Sequence, residues 1–295
     1  MNSFQQITIV GCGLLGGSFA LALRRAGYTG KITACGGTRG AKIALERGMI
    51  NSLEESFAQS LPCEADLIFL AAPIGGIIDF LKSQSSQIKS GAIVTDAGST
   101  KVEICRLAKE FLPHNINFIG GHPMAGSEQT GVEYARADLF DGATWALMNE
   151  VGIDQSAIAI LTSLVESIGA RTVITNPASH DAAVALISHL PQLLSSSLAN
   201  LLSGEGAELS RQLAATGWRD MTRLAGSSWS VWRDIVMTNQ PNISQSIDTL
   251  IAELQQIKEA LDIHEFNQVR ELFSAANDSV AKQRALHYQN FKKII

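Results

Sequence analysis

Nothing in this chain constrains its fold more than Gly11-Cys12-Gly13-Leu14-Leu15-Gly16, which follows the β-branched run Ile7-Thr8-Ile9-Val10 and opens an apolar helical pattern. The GxGxxG spacing is informative only between a strand and a helix, and that is where it stands. Gly11 permits the tight turn, the bare backbone at Gly13 leaves room for a pyrophosphate, and Gly16 lets helix and strand close on one another. The first helical turn, with Leu14 and Leu15, offers its unused N–H groups to the anion. A plain glycine-rich turn would share the spacing, but a position at the first strand of an alternating chain selects the dinucleotide cradle.

From Gln6 to Thr175, short β-branched runs alternate with helical patterns, the sign of a mostly parallel sheet covered by helices on both faces. Strands are expected at residues 7–10, 31–35, 67–70, 93–95, 117–119, 144–148 and 171–174, and helices notably at 14–25, 40–47, 100–111 and 154–168. After Asn176-Pro177 strand signals vanish. Ala, Leu, Ser and Gln then carry helical periodicity over residues 178–202, 207–215, 228–238 and from 242 onward with one break. The chain of 295 residues is thus read as a doubly wound α/β Rossmann domain over 1–176, followed by an all-α substrate and dimerisation domain over 177–295. Apolar residues on more than one helix face, as in Val184-Ala185-Leu186-Ile187 and Leu193-Leu194, need a partner, and a homodimer through the helical half is expected.

Composition narrows the partners. A net charge of −5 with no run of Lys or Arg gives no footprint for nucleic acid. Cys12, Cys35, Cys63 and Cys105 match no metal-ligand spacing and read as reduced thiols. The chain starts without a basic-then-apolar leader, and the apolar stretch 67–81 is interrupted by Pro73, Gly75, Gly76 and Asp79, so a cytoplasmic protein with no membrane partner is expected.

An acid at the end of the second strand would accept from a ribose 2′-OH and repel a 2′-phosphate. This strand instead ends in Ala34-Cys35-Gly36-Gly37-Thr38-Arg39, so NADP is the preferred cofactor, with NAD also possible and Thr38 as a mere helix cap the competing assignment. Ala71-Ala72-Pro73 follows a strand on the ligand-binding edge and could border the nicotinamide ribose. Ser99, in Thr95-Asp96-Ala97-Gly98-Ser99-Thr100-Lys101, is either a helix cap or a polar group at that edge. The glycine-rich loop Gly120-Gly121-His122-Pro123-Met124-Ala125-Gly126-Ser127-Glu128 brings one imidazole, with a pKa suited to taking a hydroxyl proton, to the point where the chain leaves the sheet. His189, beside the helix-kinking Pro191, is either a cavity residue or a buried structural one. Arg219 and Arg223 offer carboxylate forks, and Trp232 either walls a ring-shaped ligand or packs in the core. No HExxH, paired CxxC or carboxylate cluster occurs, so no catalytic metal is expected.

Taken in order, GCGLLGGS, TDAGSTK, GGHPMAGSE, SHLPQ and GWRDMTR resemble the prephenate/arogenate dehydrogenase family of tyrosine biosynthesis, over nearly the whole chain. The resemblance implies a Rossmann domain, a helical dimerisation domain and oxidative decarboxylation of a cyclohexadiene in the cleft between them. It implies His122 as the hydrogen-bonding base for the ring hydroxyl, Ser99 as an orienting group and Arg223 on the substrate carboxylate. It places Ser127, Glu128 and Asp220 at the cleft, and His189, Gln192 and Trp232 at the pocket. Gln192 stands where many prephenate-using members carry His, which leaves the choice between arogenate and prephenate open. Neither a chorismate mutase segment before Gln6 nor a regulatory domain after the helices is expected. Competing expectations are a β-hydroxyacid dehydrogenase or imine reductase, which would place a Lys in the helical half where 178–235 has none, and a non-catalytic dinucleotide sensor.

Overall fold

The computed structural model describes residues 4–36, 38–54, 64–84, 88–126 and 129–292. They divide into two compact units, Met1–Gln240 and Pro241–Ile295. In the first unit, β1 (Gln6–Val10), β2 (Lys31–Cys35), β3 (Ser52–Glu54), β4 (Leu67–Leu70), β5 (Ile93–Asp96) and β6 (Asn117–Ile119) form a parallel sheet in the order β3-β2-β1-β4-β5-β6. The helices α1 (Leu14–Arg25), α2 (Thr38–Glu46), α3 (Ile74–Gln84) and α4 (Val102–Phe111) connect them. Chain order reverses beside β1, where an open α/β sheet forms its ligand crevice. Both β1 and β4 are buried along their whole length, which is why they read as continuous apolar runs. Val10 aligns with Cys35 and Leu70, and Leu70 with Asp96, so the central strands end level and their loops open on one edge.

Sequence pattern assigned residues 144–148 and 171–174 to a single mostly parallel sheet. The structure corrects this: β7 (Gly121–Pro123), β8 (Thr144–Met148) and β9 (Arg171–Thr175) form a second sheet, with β7 antiparallel and β9 parallel to β8. Periodicity identifies a strand without naming its neighbour. The chain turns away at Gly120-Gly121, where a Cβ on Gly121 would lie 2.5 Å from the Asp96 carbonyl oxygen, an approach open only to glycine. Trp145 of β8 then packs its buried ring against Phe19 of α1, Phe69 of β4 and Phe140, welding the two sheets through one aromatic cluster.

Beyond α5 (Gln155–Ser167) and β9, Asn176 caps α6 (Pro177–Val184) by accepting from the Ser179 amide, with Pro177 in the first turn. A π turn, Ala185–His189, joins α6 to α7 (Leu190–Leu201). Pro191 has no amide to donate and its ring crowds the Ile187 carbonyl, so the helix widens there rather than breaking. The run Pro177–Leu201 is long and apolar enough by composition to cross a membrane. Its His180, Asp181, His189 and Gln192 are nevertheless buried and bonded to other elements of the protein. The unit closes with α8 (Glu208–Leu213), α9 (Thr216–Thr222), a 3-10 turn at Arg223–Gly226 and α10 (Trp229–Thr238). The Asp234 carboxylate of α10 accepts from the Gly75 amide in the first turn of α3 at 2.9 Å, and Thr100 bonds Thr238 at 2.7 Å. The second unit comprises α11 (Gln240–Asp262) and α12 (Phe266–Lys292), separated at His264, whose φ is +59°.

Candidate active site

The glycine turn has the geometry that a dinucleotide needs. Gly11 sits at φ +91°, and a Cβ there would lie 2.7 Å from the Ala72 amide nitrogen. At Gly16 a Cβ would lie 2.2 Å from the Gly11 carbonyl oxygen, so α1 closes onto the strand only without a side chain. Gly13 caps α1 with nothing within 4 Å of its missing Cβ, which leaves the helix N-terminus, with Leu14 and Leu15, open to an anion. A cleft of about 1140 Å³ runs from this turn past Gly36 and Arg39 on one side and Ala71, Ala72 and Pro73 on the other. These residues fit a dinucleotide. The cleft also takes in Thr130–Tyr134, a segment without a sequence signal for it. Glu133 there pairs with Arg39 at 3.1 Å. Thr38 opens α2, and its side chain lies outside the described residues, as do Ser127 and Glu128.

His122 lies in β7, opposite Ala146 of β8, rather than in a loop. The β7 backbone is fixed to the end of β5: the Gly121 amide donates to Asp96 at 3.0 Å, and the buried Lys101 ammonium donates to the Gly121 carbonyl at 2.8 Å while pairing with Asp96. From there a chain of rings leads to a carboxylate. His122 Nδ1 meets His180 Nε2 at 2.9 Å, and His180 Nδ1 meets Asp181 Oδ1 at 2.8 Å. Asp181 also accepts from the Lys101 and Val102 amides at 2.7 and 2.9 Å, capping α4. A carboxylate only accepts, so His180 donates from Nδ1, accepts at Nε2 from His122 Nδ1–H, and leaves His122 Nε2 with a lone pair. That tautomer is assigned from the partners. Burial, then His180, Lys101 and His189, hold the His122 imidazole well below its usual pKa, which keeps it neutral.

The structure brings His189 and Trp232 together, their rings edge to face at 5.8 Å, and Asn239 joins His189 Nδ1 to the Asp181 carbonyl. Gln192, also buried, donates to the Leu224 carbonyl at 2.8 Å and so holds the turn that begins with Arg223. Ser99 is half-buried in the β5–α4 connection, while Asp220 and Arg223 are exposed and stand outside the buried cluster. Sequence reasoning missed His180, Asp181, Lys101, Asp96, Asn239 and Glu133 as site residues. A faint signal existed in charged residues set in apolar runs, for a buried charge has to be paired. Among the described residues no group of three or more His, Cys, Asp or Glu is placed to hold a metal. Burial raises the Cys12 and Cys35 thiols to about 11, so neither supplies a nucleophile.

A family profile described as prephenate dehydrogenase, nucleotide-binding domain, matches residues 19–174, and one described as prephenate dehydrogenase, dimerization domain, matches residues 176–275. The prephenate dehydrogenase of Bacillus subtilis is 33% identical over 284 residues, covering 94% of this chain and 76% of that protein. A structure of prephenate dehydrogenase from A. aeolicus, in complex with hydroxyphenyl propionate and NAD+, has a TM-score of 0.88 at 28% identity, covering 95% of this chain and 98% of that one. Synechocystis arogenate dehydrogenase has a TM-score of 0.83 at 30% identity, with coverage of 94% and 99%.

Proposed function

The chain belongs to the prephenate dehydrogenase family, and from that premise we propose that it oxidatively decarboxylates arogenate, prephenate or both, with NADP preferred over NAD. It is an NAD(P)-dependent oxidoreductase of tyrosine biosynthesis. When bound, the nicotinamide supplies a hydride acceptor at its C4. The ring carbon bearing the hydroxyl gives up hydride, the opposite ring carbon loses CO2, and the C–CO2 electron pair enters the ring as it becomes aromatic. His122 Nε2 accepts a hydrogen bond from the ring hydroxyl and shares its proton while positive character develops on that carbon. The phenol product retains the proton, so no net base is consumed. Ser99 orients the hydroxyl, Arg223 takes a substrate carboxylate, and His189, Gln192, Asp220 and Trp232, with Ser127 and Glu128, border the substrate.

The observation that carries this reading is the Asp181–His180–His122 chain at the sheet edge that also holds the glycine turn. Replacing His122 by Asn should lower kcat by about 10²- to 10⁴-fold while leaving the NADPH dissociation constant unchanged. Near-normal turnover in that variant would remove His122 from its role. NADP preference is supported by the absence of an acid at the end of β2 and by Arg39 in the cleft. The division into a dinucleotide-binding domain over 1–176 and a helical domain over 177–295 is supported by the meeting point of the two family profiles. A homodimer through the helical half, in the cytoplasm, completes the reading; the exposed Leu186, Ile187 and Leu201 and the second profile's description support the dimer.

A further inference from the structure

We propose that Glu133 sets how strongly this protein discriminates between its two nicotinamide cofactors, by holding the Arg39 guanidinium as a counter-ion that a 2′-phosphate has to displace. The inference rests on the reading that Arg39 faces the adenosine ribose. NAD-selective Rossmann proteins carry their discriminating acid at the end of the second strand. Here an acid from elsewhere in the chain, Glu133, lines the same cleft as Gly36, which follows β2. Glu133 belongs to a one-turn 3-10 helix, Val132–Tyr134, entered through Gly131 at φ +105°. Val132 is buried, and a Cβ on Gly17 of α1 would lie 2.9 Å from its Cγ2, so the turn seats directly on a helical glycine. One Glu133 oxygen lies over Gly131, where a Cβ would come within 2.6 Å, and the other accepts from Arg39 at 3.1 Å. The carboxylate is therefore held at the wall of the cofactor cleft.

The pair is weak enough to exchange. The Arg39 side chain is 87% exposed and that of Glu133 37%, and an ion pair in such surroundings contributes little. A doubly charged phosphate with three acceptor oxygens outcompetes one carboxylate for the guanidinium, yet Glu133 stays nearby as a like charge. NADH asks nothing of Arg39, so its binding is indifferent to the pair.

The test is titration of NADPH and NADH into wild type, Glu133→Gln, Glu133→Lys, Arg39→Ala and the Arg39→Ala/Glu133→Gln double variant, at low and high salt, read as dissociation constants. Glu133→Gln should tighten NADPH about fivefold, with NADH changed less than twofold. Glu133→Lys should tighten it further, and both gains should shrink at high salt and in the Arg39→Ala background. An unchanged NADPH constant in Glu133→Gln, or equal shifts for both cofactors, overturns the proposal. If Arg39→Ala weakens NADPH alone while the Glu133 variants do nothing, only the role of Glu133 falls. If Arg39→Ala changes neither cofactor, the placement of Arg39 falls and takes the proposal with it.

Discussion

The role proposed for His122 depends on where its proton is pinned. With Nδ1–H committed to His180, the free lone pair is at Nε2, and burial keeps the ring neutral. The proposed hydrogen-bond acceptor is the neutral imidazole, and burial holds its pKa well below 6.5, so kcat/KM should stay flat above about pH 6.5 and fall only at lower pH. Removing the neighbouring ring in His180→Gln takes away a group that lowers the His122 pKa, so the acid limb should move to higher pH as kcat drops. A limb that stays in place, as a purely structural His180 would leave it, contradicts the relay. At this scale the glycines beside Ser99 and His122 marked where the chain leaves a strand, while the roles proposed for the two residues came from the family resemblance. His180 and Asp181 were not, because their partners lie 58 and 80 residues away in the chain.

Elements reach the site through a few buried polar joints. Asp181 fastens α6 to the start of α4, Asp234 fastens α10 to the start of α3, and Lys101 ties β5 to β7 through Asp96 and the Gly121 carbonyl. Lys101→Met strands a fully buried carboxylate without its cation, at a cost of about 3–5 kcal/mol, and calorimetry should show Tm falling by about 10 °C. An unchanged Tm would mean that Asp96 is held by the Gly98 and Gly121 amides alone. At the cradle, Gly16→Ala drives a methyl into the Gly11 carbonyl and should weaken NADPH about tenfold or more through displacement of α1. Strands with strong β-branched patterns were readable from sequence, as were α1, α4 and α5. β3 (Ser52-Leu53-Glu54) and β7 (Gly121-His122-Pro123) carry no β-branched residue and no Phe, Tyr or Trp, unlike the equally short β6 with Phe118 and Ile119, and α3 was obscured by Gly75 and Gly76 in its first turn. The π turn follows from Pro191, although sequence pointed only to a bend.

At the scale of the whole molecule, pH and assembly expose the same architecture. Burial pushes His189 down to about 4 from 6.5, with Asp181 partly opposing. Above pH 6.5 the folded and unfolded forms are both neutral there, and the stability is fully present. As pH falls below 6.5 the unfolded chain binds a proton that the folded one refuses, so about 2 kcal/mol is lost by pH 5 and more toward pH 4. Denaturant midpoints should therefore fall between pH 7.5 and pH 5, and fall less in His189→Gln. Leu186, Ile187 and Leu201 leave an apolar face exposed on one helical run, and light scattering should return twice the chain mass, reverting to one in Ile187→Glu/Leu201→Glu. A wild-type monomer would leave that face unexplained. One assay asks whether the dinucleotide held at the glycine turn oxidises a cyclohexadiene with the help of His122. Arogenate and prephenate are each supplied with NADP and with NAD to wild type and His122→Asn, following reduced nicotinamide at about 340 nm. Wild type should turn over at least one substrate, faster with NADP, and His122→Asn should lose nearly all turnover with NADPH binding intact. Cofactor binding without turnover of either substrate would overturn the proposed dehydrogenase activity, and full turnover by His122→Asn would overturn the role of that imidazole.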